Sequence, residues 1–186
     1  MSVVFPPLKL LIFVLSFQEY ERPPNDSCES ATTIDSLPKR FTDTNVGAFP
    51  EFVDPTCGIG PDSRGVWYTY VGDDSIIEAT LTTSFTFQSE ISVFRGSCAR
   101  LECVQNVAAS LYSYSSRTPN VITWLAVAGE TYYILATGAD NLSPSAGAME
   151  VGSFRLDIVV SLKCMSHECG IPPSQATYFC SLFSGV

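Results

Sequence analysis

The sequence predicts an all-β fold, an antiparallel β-sandwich of about eight strands over residues 28–162. Three observations predict it. Short segments alternate apolar and polar residues with a period of two, the mark of a half-buried strand. Between them lie turn-forming stretches rich in Ser, Thr, Gly, Pro and Asn, such as 55–65, 110–120 and 138–147. No long stretch repeats at 3.6 residues, and no helix-length connection separates the strands, which argues against parallel α/β.

The elements follow in chain order. Residues 28–34 (CESATTI) read as one helical turn, and from Phe41 onward the chain reads as strands. Val66, Tyr68 and Tyr70 alternate with Trp67, Thr69 and Val71, and Gly72-Asp73-Asp74-Ser75 follows as a turn. Ile77, Ala79 and Leu81 alternate with Ile76, Glu78 and Thr80; Ile91 and Val93 alternate with Ser92 and Phe94. Two apolar runs, 121–127 (VITWLAV) and 131–137 (TYYILAT), are joined by Ala128-Gly129-Glu130. A short Gly-containing connection of this kind signals a hairpin. Phe154, Leu156 and Ile158 face one way while Ser153, Arg155, Asp157 and Val159 face the other, the clearest half-buried strand in the chain.

Outside that body, residues 1–16 are expected to be a signal peptide, 17–27 a linker and 163–186 a cysteine-containing tail. The apolar run 8–17 (LKLLIFVLSF) is too short for a bilayer span of ~20 residues and has the length of a signal-peptide core. A membrane contact is expected only if this run stays as an uncleaved anchor. Seven cysteines in a β-rich chain read as disulfides of a secreted or surface protein. Two triplets, Asn25-Asp26-Ser27 and Asn141-Leu142-Ser143, fit N-glycosylation, placing Asn25 and Asn141 in surface loops.

Charge excludes more than it assigns. The net charge is −9, with 10 Lys and Arg against 19 Asp and Glu, so no nucleic-acid partner is expected. The single histidine, His167, lies in the tail, which removes histidine catalysis from the main body.

Several short pieces recur in one order. They are Asn25-Asp26-Ser27-Cys28-Glu29-Ser30-Ala31, Thr42-Asp43-Thr44-Asn45-Val46-Gly47-Ala48, Cys57-Gly58 and Gly65-Val66-Trp67-Tyr68-Thr69-Tyr70. Ile91-Ser92-Val93-Phe94-Arg95-Gly96-Ser97-Cys98, Leu101-Glu102-Cys103, Gly129-Glu130-Thr131-Tyr132-Tyr133-Ile134 and Gly152-Ser153-Phe154-Arg155-Leu156 complete the series. Over about 25–162 this resembles extracellular β-sandwich modules related to the bacterial pre-peptidase C-terminal domain, which look somewhat like CUB domains. The resemblance implies a jelly-roll-like sandwich that is non-catalytic and serves binding, targeting or secretion. By position it also implies the disulfides Cys28–Cys57 and Cys98–Cys103. The chain departs from the pattern where related modules carry Asp-Thr before the Ile91 strand, here Gln88-Ser89-Glu90. It departs again where they carry Asn-Asp-Asp, here Asn106-Val107-Ala108.

Candidate sites are few. Trp67, Tyr68 and Tyr70 offer ring faces for a sugar, but opposite orientations on one strand favour core packing. Tyr112 and Tyr114, in the Ser-rich stretch 110–116, are the candidate ligand contacts. Asp73-Asp74, Asp54, Asp62 and Asp26-Glu29 carry oxygens that calcium takes, without the regular loop spacing of a calcium site. Cys164, His167, Cys169 and Cys180 are zinc-ligand types at no common spacing, and a disulfide plus a free thiol is the expected state. No G-x-S-x-G elbow is present. The expectation is therefore a secreted or cell-surface, non-enzymatic module with no cofactor and no metal, binding extracellular protein or carbohydrate. An accessory domain of a larger secreted hydrolase or peptidase is the alternative.

Overall fold

The computed structural model describes residues 21–50, 57–59, 63–83, 89–108, 118–138 and 151–163. Among the described residues nine strands form two sheets: β1 (Thr32–Thr33), β2 (Lys39–Thr44), β3 (Gly65–Val71), β4 (Ser75–Thr83), β5 (Ser89–Ser97), β6 (Arg100–Ala108), β7 (Asn120–Ala126), β8 (Thr131–Gly138) and β9 (Ser153–Lys163). The five-stranded sheet has the order β1-β3-β8-β5-β6, and the four-stranded sheet β2-β9-β4-β7. Every neighbouring pair is antiparallel except the two-residue β1–β3 contact. The expected all-β sandwich is the architecture found.

Alternation explains which face is buried. Phe154, Leu156 and Ile158 from β9, Ile77, Ala79 and Leu81 from β4, and Val66, Tyr68 and Tyr70 from β3 meet between the sheets. Ile122 and Trp124 of β7 join them, as do Ile91 and Val93 of β5. Each fully buried aliphatic side chain contributes about 1.5–3 kcal/mol relative to exposure. Arg40, Arg155 and Asp157 form an ion-paired group on the outer face of the four-stranded sheet.

The five-stranded sheet is buried on both faces. Trp67, Phe94 and Leu135 point away from the sandwich core and form a second cluster with Cys28, Cys57 and Ile59. The Trp67 and Phe94 rings lie 5.7 Å apart. Trp67, Tyr68 and Tyr70 are thus packed, as their alternation implies, with Trp67 and Tyr68 in different clusters. For β5 the expected one-sided pattern is replaced by six successive buried residues, Ser89 to Phe94.

The cover on this outer face comes from the N-terminal segment. Residues 23–27, read as the end of a linker, lie along β3: the Trp67 N–H donates to the Asn25 carbonyl at 2.8 Å. A 3-10 turn, Cys28–Ser30, and β1 continue the same path.

Two expectations are corrected. The runs around Ala128-Gly129-Glu130 are not a hairpin. β7 belongs to the four-stranded sheet and β8 to the five-stranded one, so residues 127–130 cross between sheets. The two apolar runs face each other through the core, with the Trp124 and Tyr132 rings 6.2 Å apart. The tight hairpin is instead β5–β6, closed by Cys98 and Ala99.

The disulfides pair differently as well. They are Cys28–Cys98 and Cys57–Cys103, not Cys28–Cys57 and Cys98–Cys103. Cys98 sits at the hairpin tip while Cys103 lies opposite Phe94, well along β6. At about 3.3 Å rise per residue that separation is roughly 10 Å, beyond the ~7 Å Cα reach of a disulfide. Each bridge instead joins the β5–β6 hairpin to the segments that cover the outer face.

Candidate functional site

The strand directions sort the connections by length. Residues 34–38, 72–74, 98–99 and 127–130 link strands at one end of the sandwich; residues 45–64, 84–88, 109–119 and 139–152 link them at the other. At the short end two turns interlock. The Gly72 N–H donates to the Glu130 carbonyl at 2.8 Å and the Gly129 N–H to the Gly72 carbonyl at 3.0 Å. Asp74, at φ 62°, accepts the Ala128 N–H on Oδ1 at 2.9 Å, and Asp73 accepts the Tyr70 hydroxyl at 3.0 Å. The Asp73-Asp74 pair therefore holds a turn. A shallow depression of about 370 Å³ at this end is lined by Arg95, Gly96, Glu102, Glu130 and Thr131. Its Arg95–Glu102 ion pair, at 3.1 Å, is half exposed on both sides.

The end with the long connections is pinned by asparagines. Asn45 Nδ2 donates to the Arg64 carbonyl and its Oδ1 accepts the Gly152 N–H, both at 2.8 Å. Asn120 Nδ2 donates to the Ser89 carbonyl at 2.7 Å. Asn106 Nδ2 reaches the Cys57 carbonyl and Glu90 Oε1. Glu90 is almost fully buried. Its bond to half-buried Asn106 lies beneath the Cys57 segment. Short amides that satisfy backbone groups in this way fix where loops leave a rigid scaffold.

The candidate site is built on the same end, from Arg22, Asp26 and Phe49. Asp26 is almost fully buried; its Oδ1 accepts the Phe49 N–H at 3.0 Å and its Oδ2 pairs with Arg22 Nε. The guanidinium so held stacks over the Phe49 ring, 4.9 Å from its centroid. Both partners face water: Phe49 is 59% exposed and the Arg22 side chain 55%. Such a pair is worth about 0.5–1 kcal/mol at an exposed site, enough to orient the ring. Phe49 is the only large aromatic exposed among the described residues. Chemically, the group offers an apolar ring face beside guanidinium N–H donors on a rigid base, a combination suited to stacking against an apolar or sugar surface.

Sequence reasoning missed this group. The i, i+4 spacing of Arg22 and Asp26 falls in a Pro-rich stretch with no helix to give it meaning, and Phe49 looks like any loop aromatic. Of the expected site residues, Tyr112, Tyr114 and Asn141 lie outside the described residues, as do Asp54, Asp62, Cys164, His167, Cys169 and Cys180. Strands β6 and β8 end, and β7 and β9 begin, at the end of the sandwich that carries Phe49.

Asn25 is a correction. It is 1% exposed and its Nδ2 donates to the Trp67 carbonyl at 3.1 Å. A glycan must attach to that nitrogen, so Asn25 is incompatible with glycosylation in this fold. Among the described residues no three His, Cys, Asp or Glu side chains gather as a metal site, and no helix is long and apolar enough to cross a membrane.

Three tyrosine phenols are held above their ordinary range. Burial, with Asp43 nearby as hydrogen-bond acceptor at 3.0 Å, raises Tyr68 furthest. Burial and the Asp73 contact push Tyr70 up to about 12, and burial raises Tyr132. All three hydroxyls act as structural donors.

No family model and no curated protein matches the chain. Among solved structures, the chain is similar to CorA of Methylomicrobium album BG8, described as a surface-associated copper-binding protein important in copper acquisition. The two are 9% identical with a TM-score of 0.41, over 70% of this chain and 97% of that chain. A likeness this weak carries no argument about function.

Proposed function

We propose that the chain is a secreted or cell-surface, non-catalytic β-sandwich module that binds extracellular protein or carbohydrate through the end bearing its long connections. The observation that carries this reading is the exposed Phe49 ring, capped on one side by Arg22 and anchored by buried Asp26. Buried Asp26 fixes both the Phe49 backbone and the Arg22 guanidinium, so the exposed ring is presented in one orientation. Two disulfides support the oxidising compartment, as does the signal-like run 8–17. The order of sequence pieces shared with pre-peptidase C-terminal modules supports the same role.

Glycan and extracellular-protein arrays probed with the purified chain test it. A ligand found there should bind at least about tenfold more weakly to Phe49→Ala, the loss expected of a contact residue near the centre of an interface. Thermal unfolding should stay close to the parent, because the ring is largely exposed. Full binding by Phe49→Ala would remove this site from the proposal. Turnover of a polysaccharide or peptide by the purified chain would overturn the non-catalytic reading.

A further inference from the structure

The segment 21–34 covers the outer face of the five-stranded sheet around Trp67 and Phe94 with little regular structure of its own. It has a three-residue 3-10 turn, Cys28–Ser30, and a two-residue parallel contact of β1 with β3. A few hydrogen bonds dock it. The Trp67 N–H donates to the Asn25 carbonyl and Asn25 Nδ2 to the Trp67 carbonyl. The Phe49 N–H donates to Asp26 Oδ1, and the Ile34 N–H to the Thr69 carbonyl at 2.8 Å. Ile34 is buried in the inter-sheet core, which fixes the far end of the segment. Cys28 is the one cysteine of this stretch, and its bond to Cys98 is the one cross-link that holds the stretch down.

The same stretch supplies half of the candidate site. Asp26, two residues before Cys28, holds the Phe49 N–H and the Arg22 guanidinium. The segment 45–50 is fastened separately. Asn45 bonds the Arg64 carbonyl and the Gly152 N–H, the Ala48 N–H donates to the Asn45 carbonyl at 3.1 Å, and Pro50 pairs with Arg64. Lifting residues 21–31 therefore takes Asp26 and Arg22 away from Phe49 and leaves the rest of the site's ground in place. Weakly bonded segments open in this way without global unfolding. The two bridges also differ in access. Cys98 is half-buried at a hairpin tip, and its neighbours from Arg95 to Arg100 are exposed. Cys103 sits within the β5–β6 ladder opposite buried Phe94.

We infer that Cys28–Cys98 is a redox latch on the candidate site: its reduction frees residues 21–31 from the outer face, and its re-formation restores the Arg22–Asp26–Phe49 group. The inference rests on the reading of Phe49 as the contact. The reductant is an external dithiol. One of its thiolates attacks Cys98 Sγ, the Cys28–Cys98 bond breaks, and Cys28 Sγ leaves with the electron pair and takes a proton. The second thiolate of the reductant then displaces Cys98 from the mixed disulfide. Two electrons and two protons reach the protein, and the reductant ends as a disulfide. Without the cross-link, the ordering of residues 21–31 is opposed by their chain entropy and held only by the bonds above and the burial of Cys28 and Ala31.

Titration of the full chain with dithiothreitol tests the latch, with alkylation and peptide mapping to show which bridge has opened and amide exchange read by NMR. Cys28 and Cys98 should be alkylated before Cys57 and Cys103. At that stage the Phe49 and Trp67 amides should exchange at least about tenfold faster, while amides of the β4–β9 ladder keep their rates. Reoxidation should restore both. Cys28→Ser/Cys98→Ser should show the fast exchange without reductant; if that variant fails to fold, the titration of the parent still decides. Unchanged Phe49 and Trp67 exchange with the bridge cut overturns the inference. So does loss of protection across the β4–β9 ladder at the same stage, because the bridge then holds the whole sandwich. Opening of Cys57–Cys103 ahead of Cys28–Cys98 overturns it too. These readouts need no ligand. Full array binding by Phe49→Ala would overturn the contact, and with it the latch's effect on binding, in the oxidised chain alone, so the two failures are told apart.

Discussion

Removing one bridge at a time tests the crossed disulfide pattern and its energetic weight together. Cys28–Cys98 closes a sequence separation of 70 and Cys57–Cys103 one of 46. In the chain-entropy relation these loops restrict the unfolded state by about 4.4 and about 4.0 kcal/mol, upper values that native strain reduces. Cys28→Ala/Cys98→Ala and Cys57→Ala/Cys103→Ala should therefore each lose about 2–4 kcal/mol in urea unfolding and differ by well under 1 kcal/mol. The pairing implied by position, Cys28–Cys57 and Cys98–Cys103, would close far less equal loops, worth about 3.6 and about 2.0 kcal/mol on the same relation. Thiol counts separate the patterns directly. In denaturant, each double variant should show no free thiol beyond those of the parent, because its remaining two cysteines are still joined. Two additional thiols in Cys28→Ala/Cys98→Ala, or a Cys28–Cys57 peptide in a non-reducing digest of the parent, would refute the crossed arrangement.

Asn25→Gln, expressed through a secretory host, should differ in mass from the parent by only the one added methylene, since neither protein carries a glycan at residue 25, yet lose about 1–3 kcal/mol because the buried bond to the Trp67 carbonyl is disturbed; mass spectrometry and urea unfolding check both. Gly72→Ala should destabilise by several kcal/mol in urea unfolding, because its Cβ would sit 2.2 Å from the Val127 carbonyl oxygen, within the interlocked turns. Raising the pH should unfold the chain between about 10, where an unfolded phenol ionises, and the higher folded values, about 12 for Tyr70. The sign follows from linkage: the unfolded state loses these protons first, so the stability is fully present below 10 and falls as pH rises through the folded value. Tyr68→Phe and Tyr70→Phe should flatten that fall in circular-dichroism pH titrations.

The parts of the fold legible in sequence are those with one wet face. On β9 the alternation of Phe154, Leu156 and Ile158 with exposed Ser153 and Arg155 reports the inter-sheet core directly. β5 is buried on both faces, so Ser92 and Phe94 pack where a half-buried strand would be solvated. β6 leaves no clean period because the register shift at Val104 moves its later residues out of phase. The connection at Ala128-Gly129-Glu130 was ambiguous for a different reason. Two apolar runs joined by a short Gly turn have the same local signature whether they pair edge to edge or face each other across a core. Cysteine pairing carries the same limit, because proximity in sequence says nothing of proximity across an outer face.

Several of the short pieces singled out in the sequence meet on that outer face. Asn25 bonds the backbone of Trp67; Cys28 and Cys57 reach the β5–β6 hairpin at Cys98 and Cys103; Phe94 and Leu135 fill the space beneath. Asn45, from the Thr42–Ala48 piece, ties Arg64 to Gly152 at the long-connection end. Each of these residues satisfies a backbone group, bridges two segments or packs a cluster, so each serves the fold itself. Arg22 and Phe49 stand outside the quoted pieces, on ground that the buried Asp26 holds from beneath. A rim carried on buried anchors can change its side chains without disturbing the scaffold beneath. It follows that exchanging the exposed side chains at residues 22 and 49 alone should leave stability close to the parent while changing whatever contact this rim makes. The same exchange made at Asn25, Cys28 or Trp67 should change stability.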